Sequence, residues 1–185
     1  MLVTSILKTT AQMLGRADLA KYIATGETFD KAYSEREAES LLAAYNLVEN
    51  EISVDYLPVY AEVTMESVGV IMLEDVHPQN IAVLRVLDEY GRETPFTVRN
   101  GALFTQKGKV TIQFHVRPTP KSLSDECTFA DAVTERLVVY GTACEYCLAN
   151  GMYDEAVVWD KKYKDALAAA CFERRSLRVP GRRWI

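Results

Sequence analysis

A region in which apolar and polar residues alternate lies between two regions with helical spacing, and this order most constrains the fold. The stretch KVTIQFHVR alternates strictly, so one face of a strand would carry Val110, Ile112, Phe114 and Val116. Turns are expected at DEYGRE and at Asn100-Gly101, a dipeptide that strongly favours a hairpin. Residues 58–118 are therefore expected to form five or six short strands in a small antiparallel sheet or partial barrel.

Helical spacing precedes the strand region. Residues 3–24 are rich in helix formers, with a break expected near Gly15. Ser34 and Glu37 have the spacing of a capping box, which predicts that the next helix starts there. That helix of about 18 to 20 residues would bury a stripe of apolar residues, namely Leu41, Leu42, Tyr45, Val48 and Ile52.

Helical spacing returns after Pro118. Ser124 is expected to be an N-cap, and Asn150-Gly151 is expected either to end or to offset the helix that follows. The apolar stripe of this helix would be Val133, Leu137, Tyr140, Cys144 and Leu148. A last helix would bury Ala156, Trp159, Tyr163, Leu167 and Ala170.

These patterns predict an α+β fold in which N- and C-terminal helices form a bundle with a small antiparallel β-sheet domain inserted. The expected parts are a first part of the helical core (1–57), the β insertion (58–118), a second part of the helical core (119–173) and an extended, basic C-terminal tail (174–185). The tail RRSLRVPGRRWI contains five arginines and ends on two large apolar residues.

Composition limits the classes of function. The chain of 185 residues is 49% hydrophobic and 25% charged, which suits a globular protein with a core. No apolar run approaches the roughly 20 residues that cross a bilayer, and the N-terminal stretch lacks the apolar run of a signal peptide, so cytoplasmic synthesis is expected. The formal charge is −5, and because the tail contributes five arginines, the preceding 173 residues carry a balance near −10. An acidic body argues against a surface that grips phosphates.

No residue pattern predicts catalysis, a cofactor or a metal. Cys144 and Cys147 have CxxC spacing but lie within a helical period, which favours buried structural thiols over a redox or zinc half-site. A zinc site would need two more ligands, for which Cys127 and Cys171 are the cysteine candidates. His77 and His115 are not expected to be catalytic, because neither has neighbouring residues in the spacing of a catalytic triad.

The basic tail has two interpretations. A charge run alone is typical of a disordered, solubilising end. The terminal Trp184 and Ile185 favour docking on a partner, because tryptophan and arginine are enriched where a few contacts dominate an interface. The expected docking residues are Arg174, Arg175, Arg178, Arg182, Arg183, Trp184 and Ile185.

Four segments together resemble the head–tail adaptor (head completion or connector) proteins of tailed bacteriophages. They are SEREAESLLAAYNLVENEISVDYLPV, VLRVLDEYGRETPF, GKVTIQFHVRPTPKSLS, and GMYDEAVVWDKKYKDAL followed by the terminal Arg-Arg-Trp. The resemblance implies a structural, non-enzymatic virion protein at the head–tail interface, assembled in the host bacterial cytoplasm. Such proteins form a ring, commonly of twelve subunits, beneath the portal protein, and they contact other tail or connector proteins. DNA passes through the ring without specific binding, and the C-terminal segment reaches the portal.

An alternative is a small nucleic-acid-binding module that uses the sheet and the basic tail. Strand aromatics at Phe96, Phe104 and Phe114 could stack on bases, although Phe114 falls on the expected core face. A hydrolase of unknown class is a third interpretation, without a motif to support it.

Overall fold

The computed structural model describes residues 1–129 and 133–173, and the predicted tail, 174–185, lies outside them. The α+β class is confirmed. In chain order the elements are α1 (Val3–Met13), α2 (Ala17–Thr25), α3 (Lys31–Glu51), a π-helical turn (Ile52–Tyr56), β1 (Val59–Met72), α4 (Leu73–Val76), β2 (Asn80–Leu87), β3 (Thr97–Arg99), β4 (Ala102–Val116), α5 (Glu135–Ala149) and α6 (Tyr153–Glu173).

The chain forms two compact units. A helical unit contains Met1–Glu49 and the described residues between Lys121 and Glu173, and a sheet unit contains Asn50–Pro120. The sheet is thus inserted between two helical segments, and α1 from the first segment packs against α5 from the second.

Helix α5 lies at the centre of the helical unit. It packs against α1 and α6 and is buried around most of its circumference, which a single apolar stripe did not predict. Its buried residues are Leu137, Val138, Val139, Gly141, Thr142, Ala143, Cys144, Tyr146 and Cys147. The predicted end at Asn150-Gly151 is confirmed, and Gly151 has a φ of 73°. Of the stripe predicted for α6, Ala156, Tyr163 and Leu167 are buried.

The start of α3 differs from the prediction. The break near Gly15 is confirmed, but the capping box is wrong because α3 already begins at Lys31. The Asp30 carboxylate accepts the Tyr33 N–H at 3.0 Å, which is the geometry of an N-cap. Asp30 therefore starts the helix about one turn earlier, and Ser34 and Glu37 lie within it.

The predicted N-cap at Ser124 is also wrong. The Ser122 N–H donates to the Asp125 carboxylate at 2.7 Å and closes a turn, while α5 begins only at Glu135. The backbone of this stretch pairs with the start of the chain, since Val3 donates to the Asp125 carbonyl at 3.0 Å and Cys127 donates to the Met1 carbonyl at 2.9 Å. These long-range bonds use backbone groups that a helix would need.

The sheet has four antiparallel strands, in place of the predicted five or six, because two of them are long. The order is β1–β4–β2, and β3 pairs with β4 through the predicted Asn100-Gly101 turn, where both residues have positive φ. Strand β1 runs unbroken over Val59–Met72, with an irregularity in its register at Gly69, whose φ is 110°. The core of this unit contains Ile71, Val76, Val86, Leu103, Val110, Ile112 and Phe114.

Candidate interaction surfaces

The CxxC cysteines are core residues, as predicted. Cys144 and Cys147 are buried on α5, and both are free thiols. Burial raises the pKa of each thiol to about 11. Near neutral pH the thiols are therefore protonated, a form that is a poor nucleophile and a poor metal ligand. Within residues 1–129 and 133–173, no group of three or more His, Cys, Asp or Glu side chains is placed to hold a metal ion.

The two histidines make local contacts in the sheet unit. His77 accepts the Gln79 N–H on Nδ1 at 3.1 Å, and its ring lies 5.7 Å from that of Phe114. His115 packs edge-to-face on Tyr60, with 4.8 Å between ring centroids. These arrangements fit packing and turn formation.

A polar cluster that the sequence did not predict joins three helices of the helical unit. Arg16, just before α2, donates to Glu37 of α3 at 3.1 Å and to the hydroxyl of Tyr146 of α5 at 3.2 Å. Its other terminal nitrogen donates to the Tyr33 hydroxyl at 3.1 Å. The Tyr146 hydroxyl also donates to Glu37, and burial together with this hydrogen bond raises the Tyr146 pKa. The polar groups of the cluster hydrogen-bond to one another, and these bonds hold the helices together.

The buried carboxylate of Glu49 is also satisfied by hydrogen bonds. Glu49 is only 2% exposed and accepts the Tyr45 hydroxyl at 3.0 Å and the Thr128 N–H at 2.7 Å. Burial, followed by interactions with Cys127 and Glu49, raises the pKa of Tyr45. This group therefore has a structural explanation as well.

The outer face of the sheet is divided into a polar half and an apolar half. Along β1, the even-numbered residues from Tyr60 to Met72 are exposed, while the odd-numbered residues face the core. In the polar half the hydroxyls of Thr64 and Thr111 are 2.9 Å apart. The apolar half, called the sheet patch here, consists of Val68, Val70, Met72 and Phe104.

The residues of the sheet patch are neighbours on β1 and β4, and charges of both signs border them, since Glu66 precedes Val68 on the same face. Val70 lies directly opposite Phe104 in the β1–β4 register, and Val68, which is 78% exposed, lies opposite Lys107. A cleft of about 250 Å³ beside it is lined by Thr97, Arg99 and Phe104. An exposed group of apolar side chains with a charged rim is typical of an interaction site.

A second exposed apolar surface lies on the first two turns of α6. This α6 patch consists of Tyr153, Val157 and Val158, and Val157 is 69% exposed. Asp154 and Glu155 lie in the same first turn, and Lys161 and Lys162 lie four positions after Val157 and Val158, so charges of both signs border this patch. The sequence predicted only the buried stripe of α6.

The residues predicted to dock on a partner are outside the part of the chain that the structure describes. This holds for Arg174, Arg175, Arg178, Arg182, Arg183, Trp184 and Ile185. Of the aromatics in the nucleic-acid alternative, Phe114 is buried and Phe96 packs against the sheet core, whereas Phe104 belongs to the sheet patch.

Comparisons with known proteins add no relative. A scan against protein-family models finds no match to this chain, and a search of curated proteins finds none either.

Among the helices of residues 1–129 and 133–173, none combines the length and apolar character that crossing a membrane requires.

Proposed function

We propose that the chain is a non-enzymatic assembly protein of a tailed-phage virion, a head–tail adaptor whose ring lies under the portal. The observation that carries the proposal is the pair of unlike apolar patches, one on each compact unit. A closed ring needs two different surfaces on every subunit, because each copy contacts one neighbour with each surface.

Charge and buried chemistry support the same function. The body of the chain is acidic, which suits a ring that guides DNA without holding it. The clusters around Arg16 and Glu49 satisfy their own hydrogen bonds, as expected of groups that stabilise a fold. In this proposal the residues from Arg174 onward dock on the portal, and the virion is assembled in the host cytoplasm.

The alternative of a nucleic-acid-binding sheet has weaker support. Tyr60 and Phe104 are exposed aromatics on the outer face, but Phe104 lies opposite Val70, ten positions along β1 from Tyr60. At the rise of a β-strand this is about 33 Å, too far for adjacent bases to stack on both rings.

The test is co-expression of the full chain with the portal protein of the same phage. Native mass spectrometry and electron microscopy should show a closed ring of this chain bound to the portal. A control co-expression with a portal from an unrelated phage should give no complex. Failure to associate with its own portal would overturn the proposal.

A further inference from the structure

We propose that residues 174–179 of one copy add a strand to the free edge of β1 in the next copy. The inference rests on the proposed ring and adds a contact between its subunits. It narrows the portal contact of the proposed function to the residues after Pro180. The observation that carries it is the edge of β1, whose unpaired backbone groups fit an extended segment.

Strand β1 is the outermost strand of its sheet. It pairs with β4 along one edge, and within residues 1–129 and 133–173 no strand pairs with the other edge. From Val59 to Val68 the register with β4 is unbroken, and β1 contains neither proline nor lysine, residues with which proteins commonly protect an edge. A further strand could therefore bind here by main-chain hydrogen bonds.

The core of the sheet unit is less covered along β1 than along β4. The residues of β4 that face this core between Val110 and Phe114 are buried. Their partners on β1 pack against the same core but are only partly buried, and these are Ala61, Val63 and Met65. A strand with apolar residues on this face would cover them.

The outer face of the same stretch of β1 is acidic. Glu62 and Glu66 are exposed and lie about 13 Å apart along the strand. In the described part of the chain neither carboxylate lies within ion-pairing distance of a cation, and Glu62 accepts a long hydrogen bond from Gln113 at 3.4 Å. Lys109 lies opposite Glu66 on β4, on the side away from the free edge. A strand added at this edge therefore lies beside two carboxylates of β1 and no cation of β1.

The segment RRSLRV, residues 174–179, matches the charges of this edge. Arg174 and Arg178 are four positions apart, the same spacing as the two carboxylates. In an antiparallel pairing Arg178 lies opposite Glu62, and Arg174 lies opposite Glu66, on the outer face. Arg175 falls on the core face, where its stem can pack while its charge reaches water at the edge.

The same register matches the apolar face and the end of the strand. Leu177 and Val179 then lie opposite Val63 and Ala61, which are incompletely covered. Pro180, which cannot donate to a ladder, falls beside the first residues of β1. A parallel pairing with the same charge match would place Pro180 in the interior of β1, so the antiparallel direction is favoured.

Two other occupants fit the edge less well. β1 of a second copy would bring four carboxylates to one face of the joined sheet, because Glu62 and Glu66 are exposed on both strands. β2 of a second copy is irregular, since its register with β4 shifts twice and Val86 already accepts the Thr94 N–H. The C-terminal segment joins unlike surfaces, so each copy binds one neighbour and is bound by another until a ring closes.

The first test reverses the charges on either side of the contact in the full chain. The edge variant is Glu62→Arg with Glu66→Arg, and the segment variant is Arg174→Glu with Arg178→Glu. Each should weaken self-association about tenfold, because two exposed ion pairs become repulsive. Sedimentation velocity over a range of concentrations measures association, and circular dichroism checks the fold of each variant.

Mixing the two variants shows which copy supplies the segment. The edge variant and the segment variant complement each other in both contacts, so an equimolar mixture should associate as tightly as wild type. A segment bound within its own copy would gain nothing from mixing. Arg182→Glu with Arg183→Glu is the matched control, because it makes the same change of net charge beyond Pro180 and should leave self-association unchanged.

Hydrogen–deuterium exchange tests whether the contact is a strand pairing. At a concentration where wild type associates, amides of Val59–Ser67 should exchange at least tenfold more slowly in wild type than in the segment variant. Amides of β2 in the same samples should exchange at equal rates.

Four outcomes overturn the inference. They are a wild-type chain that stays monomeric at all concentrations, reversal variants that associate like wild type, a mixture that does not recover, and unchanged exchange in β1. Portal association is measured separately on the same samples. A ring that forms through this contact but binds no portal overturns the proposed function and supports the contact.

Discussion

At the scale of single residues, Gly141 shows how closely the helices of the helical unit approach one another. A Cβ atom at this position would lie 2.7 Å from Val48 Cγ1 and 2.9 Å from Tyr163 Cε2. Alanine normally stabilises a helix relative to glycine. Here the steric clash of the added methyl group costs more than that gain, so Gly141→Ala should destabilise the fold by about 1–3 kcal/mol. Urea denaturation measures the change, with the exposed Lys161→Ala as control. A variant at least as stable as wild type would contradict this packing.

The buried CxxC pair gives a second prediction at this scale. Replacing Cys144 and Cys147 with alanine should lower stability by about 1–2 kcal/mol each through lost packing, without changing assembly. Burial favours the protonated thiols, so their contribution is complete below the ordinary pKa of 9.0 and is lost as the pH rises through about 11. As the pH rises through these two pKa values, the free energy of unfolding from urea titrations should therefore fall less for the double variant than for wild type. Stoichiometric zinc in purified wild-type protein would refute the structural assignment.

At the scale of elements, the start of α3 can be tested directly. Asp30→Ala should cost about 1 kcal/mol because it removes the acceptor for the Tyr33 N–H, whereas Asp30→Ser should be nearly neutral because serine also caps. Equilibrium unfolding of both variants measures the difference. Equal stability of the two would show that another residue caps the helix.

Elements formed by local rules could be predicted from the sequence, and those formed by long-range pairing could not. Strict alternation fixed the core face of β4, and the Asn100-Gly101 turn was found from its dipeptide. Ser124 failed as a cap because nearby backbone groups bond to residues at the start of the chain. The expected count of five or six strands was too high because β1 and β4 are each one long strand, and Gly69 interrupts the register of β1 without ending it.

At the scale of the whole molecule, the sheet patch could not be predicted from the sequence for the same reason. Val70 and Phe104 become neighbours only through the register of β1 with β4. Helical spacing placed Val157 and Val158 outside the buried stripe of α6, but it gave no reason to expect a surface role for them. The basic tail, by contrast, was visible at once because its signal is composition alone.

The acidic body predicts that the whole chain binds DNA weakly. A labelled duplex titrated near physiological salt should give an affinity weaker than micromolar, because few cations are available to replace condensed counterions. Fluorescence anisotropy measures binding, and a chain ending at Glu173 is the matched control. Submicromolar affinity with a steep salt dependence, abolished in that control, would favour the nucleic-acid alternative.

The last prediction concerns the end of the chain. Deleting Arg182 to Ile185 should leave the thermal midpoint nearly unchanged, since the buried core of the described residues extends only to Leu167. The same deletion should abolish attachment to the portal. Trp184 in a portal pocket would contribute roughly 2 kcal/mol or more to binding. Because many copies around a ring bind at once, the affinity of the ring is far higher than that of one copy.

Differential scanning calorimetry and portal co-purification measure the two effects separately. Trp184→Ala alone should lose most of the attachment, and Arg182→Ala with Arg183→Ala should lose less, because charged pairs at a rim add little. Unfolding of the truncated chain would mean that these residues belong to its own core. Normal assembly of the truncated chain on portals would show that the docking residues lie elsewhere, and in that case the exposed patches on the sheet and on α6 become the remaining candidates for the head contact.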